Sequence, residues 1–336
     1  MTAPALLIGD LFIPGAVMRD GLEPLATAGY SVEACDWPVT DYDELQRLNR
    51  QIEQAGPASV ALPGWLREKI RAAHLVVVHF CPLAGDLIRE CPQLELIGTC
   101  RTGLSNIDTT AGVPVINCRG RLANAVAEFT VGLIIAEARN IARGHAALKQ
   151  HRWQRDYANT GRIPELGGRT VGLVGFGAIG QAVARLLAAF GMRVLAYDPH
   201  VDRALAESLG VALVALDDLL RRSDFVSLHA AATPETTGLI NGARLALLSP
   251  HAYLINTSRA ALVDEPALID ALQHRRLAGA ALDVFEVEPL PADHPFLQLD
   301  NVTLTPHMAG GSDDAFRRSP ALLYDLIRQH WQESRR

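Results

Sequence analysis

Gly175-Phe176-Gly177-Ala178-Ile179-Gly180 stands between a short apolar run, Thr170 to Val174, and a helical pattern from Gln181 to Phe190. Glycines at this spacing suit a strand-turn-helix unit. The first makes the tight turn, the second lets the backbone approach a pyrophosphate, and the third lets helix and strand pack closely. The helix start then offers unpaired N–H groups and the positive end of a dipole to phosphate oxygens. Spacing alone is a weak signal, and a glycine turn without a ligand is the plain alternative. The setting strengthens it. The next apolar run, Arg193 to Tyr197, ends at Asp198, which lies 18 residues beyond Gly180. A ribose-binding carboxylate is expected at a spacing of about 20. A carboxylate accepts from both ribose hydroxyls and repels a 2'-phosphate, and no Arg follows it directly, so the expected cofactor is NAD rather than NADP.

Strand-like and helix-like segments alternate through the rest of this region. Phe225 to Leu228, Ala252 to Ile255, Ala278 to Val284 and Asn301 to Leu304 read as strands. Ala204 to Leu209, Leu216 to Arg221 and Pro266 to His274 read as helices. Repeated units of this kind predict an α/β fold, a parallel sheet with helices on both faces. The first third follows the same pattern, with strands at Ala5 to Ile8, Leu75 to Val78, Leu94 to Ile97 and Val113 to Ile116. Helical segments, Asp43 to Gln54 and Leu66 to Ala73, lie between them. Ala123 to Gln150 is long, apolar and free of proline, and is expected as one helix with Asn124 capping its start.

A chain of 336 residues suits two domains. The net charge of −6 is spread without a basic stripe, which argues against nucleic acid and anionic membrane surfaces as partners. The five cysteines are odd in number and lack CxxC spacing. Neither a disulfide framework nor a zinc site is expected, and a reducing, cytoplasmic setting fits. The N-terminus lacks the basic region of a signal peptide, and no apolar stretch reaches the length of a membrane span.

Three polar clusters each follow an expected strand: Asn256-Thr257-Ser258-Arg259, Asp283-Val-Phe-Glu-Val-Glu288-Pro289 and Thr305-Pro-His307-Met-Ala-Gly310. Ligands of open α/β sheets bind beyond the carboxyl ends of strands, where these clusters converge. Hydride reduction of a ketone places negative charge on oxygen and needs a proton donor, and a His titrates in the right range. A neighbouring Glu stabilises the imidazolium. An Arg binds a carboxylate with two hydrogen bonds and polarises a carbonyl beside it. Taken singly, His307, Glu288 and Arg259 read equally as a structural His, a loop charge and a surface cation; their ordered spacing after the glycine motif favours chemistry.

Together these four motifs resemble the D-isomer-specific 2-hydroxyacid dehydrogenases, and within them the phosphoglycerate dehydrogenase-like branch. Gly120-Arg-Leu-Ala-Asn-Ala-Val-Ala-Glu-Phe-Thr130 and Cys100-Arg-Thr-Gly-Leu-Ser-Asn-Ile-Asp108 extend the resemblance over nearly the whole chain. It implies an α/β fold of two Rossmann-like/flavodoxin-like domains with parallel sheets. Residues 1–121 and 309–336 would form a substrate-binding domain, with an NAD-binding domain, 122–308, inserted. It implies NAD-dependent interconversion of a D-2-hydroxy acid and its 2-keto acid. Arg259 would bind substrate, His307 would exchange the proton, and Glu288 would tune His307. Asp283 would hold the nicotinamide carboxamide, with Thr257 and Ser258 nearby. The loop of Cys100, Arg101, Thr102 and Gly103 would cradle the carboxylate. The helix from Ala123 would form much of a homodimer interface.

The chain also departs from the pattern. Arg101 stands where phosphoglycerate dehydrogenases commonly have Gly. It would clash with their substrate, bind an extra anionic group, or turn out to solvent. The chain ends soon after the returning helix, which leaves no expected room for a C-terminal regulatory domain. Asp41 to Gly64 is longer than the usual early loop and carries no assigned role. Two other readings share the motifs: a phosphite-type dehydrogenase, and a non-catalytic NAD(H)-sensing protein. Formate dehydrogenases are similar but carry Gln at the position of Glu288.

Overall fold

The computed structural model describes residues 2–334. The chain forms two compact units. Unit 1 joins the residues up to Arg121 with those from Ser312, and unit 2 is Leu122–Gly311. The second junction thus lies past the expected 308. The reason is local: the backbone N–H groups of Met308 and Ala309 donate to Asp283, deep in unit 2.

Unit 1 runs β1 (Ala3–Gly9), α1 (Gly15–Gly21), β2 (Tyr30–Asp36), α2 (Tyr42–Ala55), α3 (Gly64–Arg71), β3 (Leu75–Val78), α4 (Gly85–Arg89), β4 (Leu96–Thr99) and β5 (Val115–Asn117). The strands form a parallel sheet in the order β2-β1-β3-β4-β5, the flavodoxin-like arrangement. β3 and β4 are buried along their whole length, as strands covered on both faces must be. β2 has no counterpart in the sequence reading. It is an edge strand whose residues alternate between half-buried and exposed, so it shows no apolar run. α2 occupies most of the Asp41 to Gly64 segment. Its start is capped by the Asp41 carboxylate, which accepts from the N–H groups of Asp43 and Glu44.

Unit 2 begins with α5 (Ala123–Ala138) and α6 (Ile141–Lys149). The single expected helix is therefore broken. Asn140 adopts φ 57°, a left-handed conformation that Asn tolerates better than most residues. The turn brings Arg143 back onto Glu137, whose carboxylate accepts from it at 2.6 and 2.8 Å and from Thr303 Oγ1 at 2.6 Å. Asn124 does not cap α5, which starts after Leu122 without a side-chain cap. Burial holds this helix instead: it packs along α7 and against β10, β11 and β12, whose ranges follow.

The unit continues through β6 (Thr170–Val174), α7 (Ala178–Ala189), β7 (Arg193–Tyr197), α8 (Arg203–Ser208), β8 (Ala212–Leu213), α9 (Leu216–Arg222), β9 (Phe225–Leu228), α10 (Gly242–Leu245), β10 (Tyr253–Asn256), α11 (Glu265–Gln273), β11 (Gly279–Leu282) and β12 (Val302–Leu304). All pairs are parallel, in the order β12-β11-β10-β9-β6-β7-β8. The chain reverses its direction of travel across the sheet between β6 and β9, which opens a crevice at their carboxyl ends.

α12 (Asp313–Glu333) returns the chain to unit 1, with the Ser312 hydroxyl accepting from Ala315 N–H at its start. It packs on α1, β4 and β5. Leu323 and Ile327 are fully buried with Leu7, Leu75 and Val77. Truncating such a leucine costs about 2–5 kcal/mol. Gly21 is required at the α1 contact, because a Cβ there would lie 2.6 Å from Pro320 Cβ. Among the described residues no helix is long and apolar enough to cross a membrane.

Candidate active site

The glycine motif turns at the end of β6. Gly175 has φ 95°, and a Cβ on it would lie 2.5 Å from Ala230 N, so no other residue fits. A Cβ on Gly180 would lie 2.4 Å from Gly175 O, which is the close helix–strand approach expected of the third glycine. Gly177 is different: a Cβ there would meet nothing within 4 Å. Its space is open, and it precedes the uncapped start of α7, whose first amides belong to Ala178 and Ile179. Asp198 sits beside this turn at the end of β7. Its Oδ2 accepts from Phe176 N–H at 2.8 Å and its Oδ1 from His200 N–H at 2.9 Å. An open glycine, a row of free N–H donors and an anchored, half-buried carboxylate fit a dinucleotide.

β10, β11 and β12 are neighbours, and their register pairs Asn256 with Leu282 and Leu282 with Leu304. The next residues, Thr257, Asp283 and Thr305, therefore stand level at the carboxyl edge. Asn256 shapes the first turn by accepting from Ser258 N–H at 3.1 Å and donating to Arg259 O at 2.9 Å. Thr257 Oγ1 pairs with Thr130 Oγ1 at 2.8 Å, and the Ser258 hydroxyl donates to Ala230 O at 2.7 Å. Arg259 is left exposed, with Nη1 donating to Ser258 O at 2.7 Å.

Asp283 is held firmly at the carboxyl edge of β11. It is fully buried, and it accepts from Thr305 Oγ1 at 2.6 Å, Met308 N–H at 3.0 Å and Ala309 N–H at 2.9 Å. It anchors the loop that carries His307.

His307 Nδ1 lies 2.8 Å from Glu288 Oε2, and Glu288 Oε1 accepts from Phe285 N–H at 3.0 Å. Partial burial pushes the Glu288 carboxyl up, but the His307 and Phe285 hydrogen bonds and the charges of His307 and Arg259 outweigh it and hold it below the usual range. Arg259, Glu288 and His307 thus form one electrostatic group on unit 2. His229, at the end of β9, was not singled out by the sequence. It is half-buried, burial pushes it down to about 4, and its Nε2 pairs with Ser227 Oγ at 2.9 Å.

In unit 1 the loop after β4 holds the other candidates. Cys100 is fully buried, while Thr102 and Gly103 are exposed. Thr102 Oγ1 donates to Cys118 O at 3.4 Å. Arg101 does not turn out to solvent. Its guanidinium donates to Asn49 Oδ1 at 2.9 Å and Glu53 Oε1 at 2.7 Å, both on α2, and lies over the Phe80 ring at 4.8 Å. The Asp41 to Gly64 segment thereby gains a task, bracing this loop.

A second cluster in unit 1 escaped the sequence reading. Asp10 binds His79 Nδ1 through both oxygens, at 3.1 and 2.9 Å. Near them, His79 Nε2 and Arg121 Nε and Nη1 are buried and lack partners among the described residues. Such groups cost about 1–3 kcal/mol each when unmatched. The available signal was position: His79 directly follows an apolar strand, as the later clusters do.

Residues 131–309 match the model of the D-isomer specific 2-hydroxyacid dehydrogenase, NAD binding domain. The chain is 38% identical over 299 residues to a D-3-phosphoglycerate dehydrogenase of Methanocaldococcus jannaschii, covering 87% of this chain. It spans only 56% of that relative's length. It is 42% identical over 248 residues to a glyoxylate reductase of Thermofilum pendens, covering 71% of this chain and 72% of the relative. Its fold matches the NAD-complexed D-isomer specific 2-hydroxyacid dehydrogenase of Lactobacillus delbrueckii ssp. bulgaricus with a TM-score of 0.74 at 23% identity, over 99% of this chain and 97% of that one. On the strength of this family model, these relatives and a glycine cradle that fits the dinucleotide, the chain belongs to the D-isomer-specific 2-hydroxyacid dehydrogenase family.

Proposed function

We propose that the protein is an NAD-dependent dehydrogenase interconverting a D-2-hydroxy acid and its 2-keto acid. The observation that carries this reading is the 2.8 Å contact of His307 with Glu288, coupled to the charge of Arg259. Arg259 binds the substrate carboxylate and polarises the adjacent carbonyl. Glu288 holds Nδ1 of His307, which leaves Nε2 free to give a proton in reduction and take one in oxidation. The bound nicotinamide supplies or accepts the hydride. Gly175, Gly177, Ala178, Ile179 and Gly180 hold the pyrophosphate, and Asp198 holds the ribose. Thr257, Ser258 and Asp283 shape the nicotinamide side. The backbone of Cys100, Arg101, Thr102 and Gly103 binds the substrate carboxylate.

The test is NADH oxidation against glyoxylate, hydroxypyruvate, pyruvate, 2-ketoglutarate and phosphorylated 2-keto acids. Turnover of any of them is expected, and the His307→Ala variant should lose roughly 100- to 10,000-fold in kcat while still binding NADH. Silence across the panel with NADH bound would move the reading to phosphite or to a non-catalytic sensor.

The protein is further proposed to be a cytoplasmic homodimer. All five cysteines are free thiols, which fits a reducing compartment. α5 is largely buried within unit 2, whereas Ile141, Leu148, Trp153 and Ile163 expose large apolar side chains just after it. This stretch, rather than α5 itself, is the proposed contact surface. A Trp153→Glu variant that sediments as a monomer would support the assignment; a wild-type monomer would refute it.

A further inference from the structure

We propose that Arg121 and His79 form a subsite in unit 1 that takes a hydroxyl group on the substrate chain, so that the substrate is a 2-keto acid bearing further hydroxyls. This deepens the dehydrogenase reading and rests on it. Asp10 accepts from Phe12, Ile13 and Phe80 N–H groups as well as from His79. Burial raises the Asp10 carboxyl, but these hydrogen bonds win and hold it below the usual range. An ionised carboxylate only accepts, so the His79 proton sits on Nδ1 and Nε2 presents a lone pair. Burial keeps the ring neutral by pushing its pKa down. His79 is fully buried, and its Nε2 has no donor among the described residues.

Arg121 lies against the same aromatic ring as His79. Its Cζ is 4.9 Å from the Phe316 centroid, and the His79 ring meets Phe316 edge-on at 5.6 Å. Its buried Nε and Nη1 are without acceptors among the described residues. Arg101, the other cation of this region, is already engaged by Asn49 and Glu53. A vacant acceptor and a vacant cationic donor therefore share one aromatic neighbour. A hydroxyl satisfies both, donating to Nε2 and accepting from the guanidinium. A phosphate dianion brings acceptors alone and would set its oxygens against the Nε2 lone pair. Space for a chain lies close by: Phe12 and Phe316, which both pack on His79, also line a cavity of about 480 Å³ with Leu11, Tyr42, Asp313 and Arg317.

The experiment compares kcat/KM of the full chain with NADH for 2-keto-D-gluconate, 2-ketohexanoate and phosphohydroxypyruvate. The hydroxylated acid should exceed its unsubstituted counterpart on the order of 100-fold, and Arg121→Leu should bring that ratio to about 1. Among the described residues no side-chain hydrogen bond of Arg121 is lost in this variant, so its fold should survive; Arg121→Lys, which keeps a donor, should restore part of the ratio. An unchanged ratio in Arg121→Leu overturns the subsite. So does a preference for the phosphorylated acid that Arg121→Leu abolishes, because the group bound is then an anion. If no 2-keto acid is turned over, the dehydrogenase reading fails separately, and calorimetry with D-gluconate and hexanoate still decides. D-gluconate bound by the wild type and not by Arg121→Leu supports the subsite, and equal binding refutes it.

Discussion

Nδ1 of His307 and Oε2 of Glu288 are 2.8 Å apart, and the second oxygen of Glu288 is tied to the backbone at Phe285. The carboxylate is thereby fixed in place and held below its usual range, so at neutral pH it stands ionised beside His307. An adjacent negative charge favours the imidazolium. Removing it in Glu288→Gln should lower kcat by roughly tenfold. An unchanged kcat in this variant would show that the pair does not act together.

Asp283 accepts three hydrogen bonds from the loop carrying His307. In Asp283→Asn one acceptor becomes a donor facing donors. A loss of about 1–3 kcal/mol in denaturant unfolding is expected, together with a lower kcat. Full stability and full activity in this variant would mean that the loop holds itself.

Asp198 is anchored beside the glycine turn by two backbone N–H groups. Asp198→Ala should weaken NADH binding, by fluorescence titration, about tenfold, and should narrow the gap to NADPH. An unchanged preference would assign ribose recognition to another residue.

His229 is pushed from the ordinary 6.5 to about 4 by burial. The unfolded chain therefore binds a proton in a pH range where the folded chain does not. Stability from this group is intact above 6.5 and falls as pH drops toward about 4, by roughly 3 kcal/mol at full protonation. His229→Gln should flatten that part of a pH series of urea midpoints. Parallel curves for variant and wild type would contradict the assignment.

Unit 2 was legible because its strands are continuous apolar runs bounded by turn residues, and because Gly175 and Gly180 cannot be anything else where they stand. Arg259, Glu288 and His307 were legible by the same logic, each following a strand. What escaped has physical reasons. β2 is an edge strand with one half-exposed face, and so lacks a run. The break at Asn140 depends on a buried ion pair between Glu137 and Arg143, which helix periodicity does not register. Arg101 is decided by Asn49 and Glu53, about fifty residues away in sequence, and the Asp10–His79 pair by a separation of 69. Residues that meet across strands leave no local pattern.

The return of α12 to unit 1 bears on how the protein is made. Leu122–Gly311 is one uninterrupted stretch and can fold as soon as it leaves the ribosome. The first sheet has no such freedom. Leu7, Leu75 and Val77 wait for Leu323 and Ile327, which follow the whole of the second unit in the chain. A nascent chain thus carries an open apolar face on its first sheet until the whole of the second unit has been made.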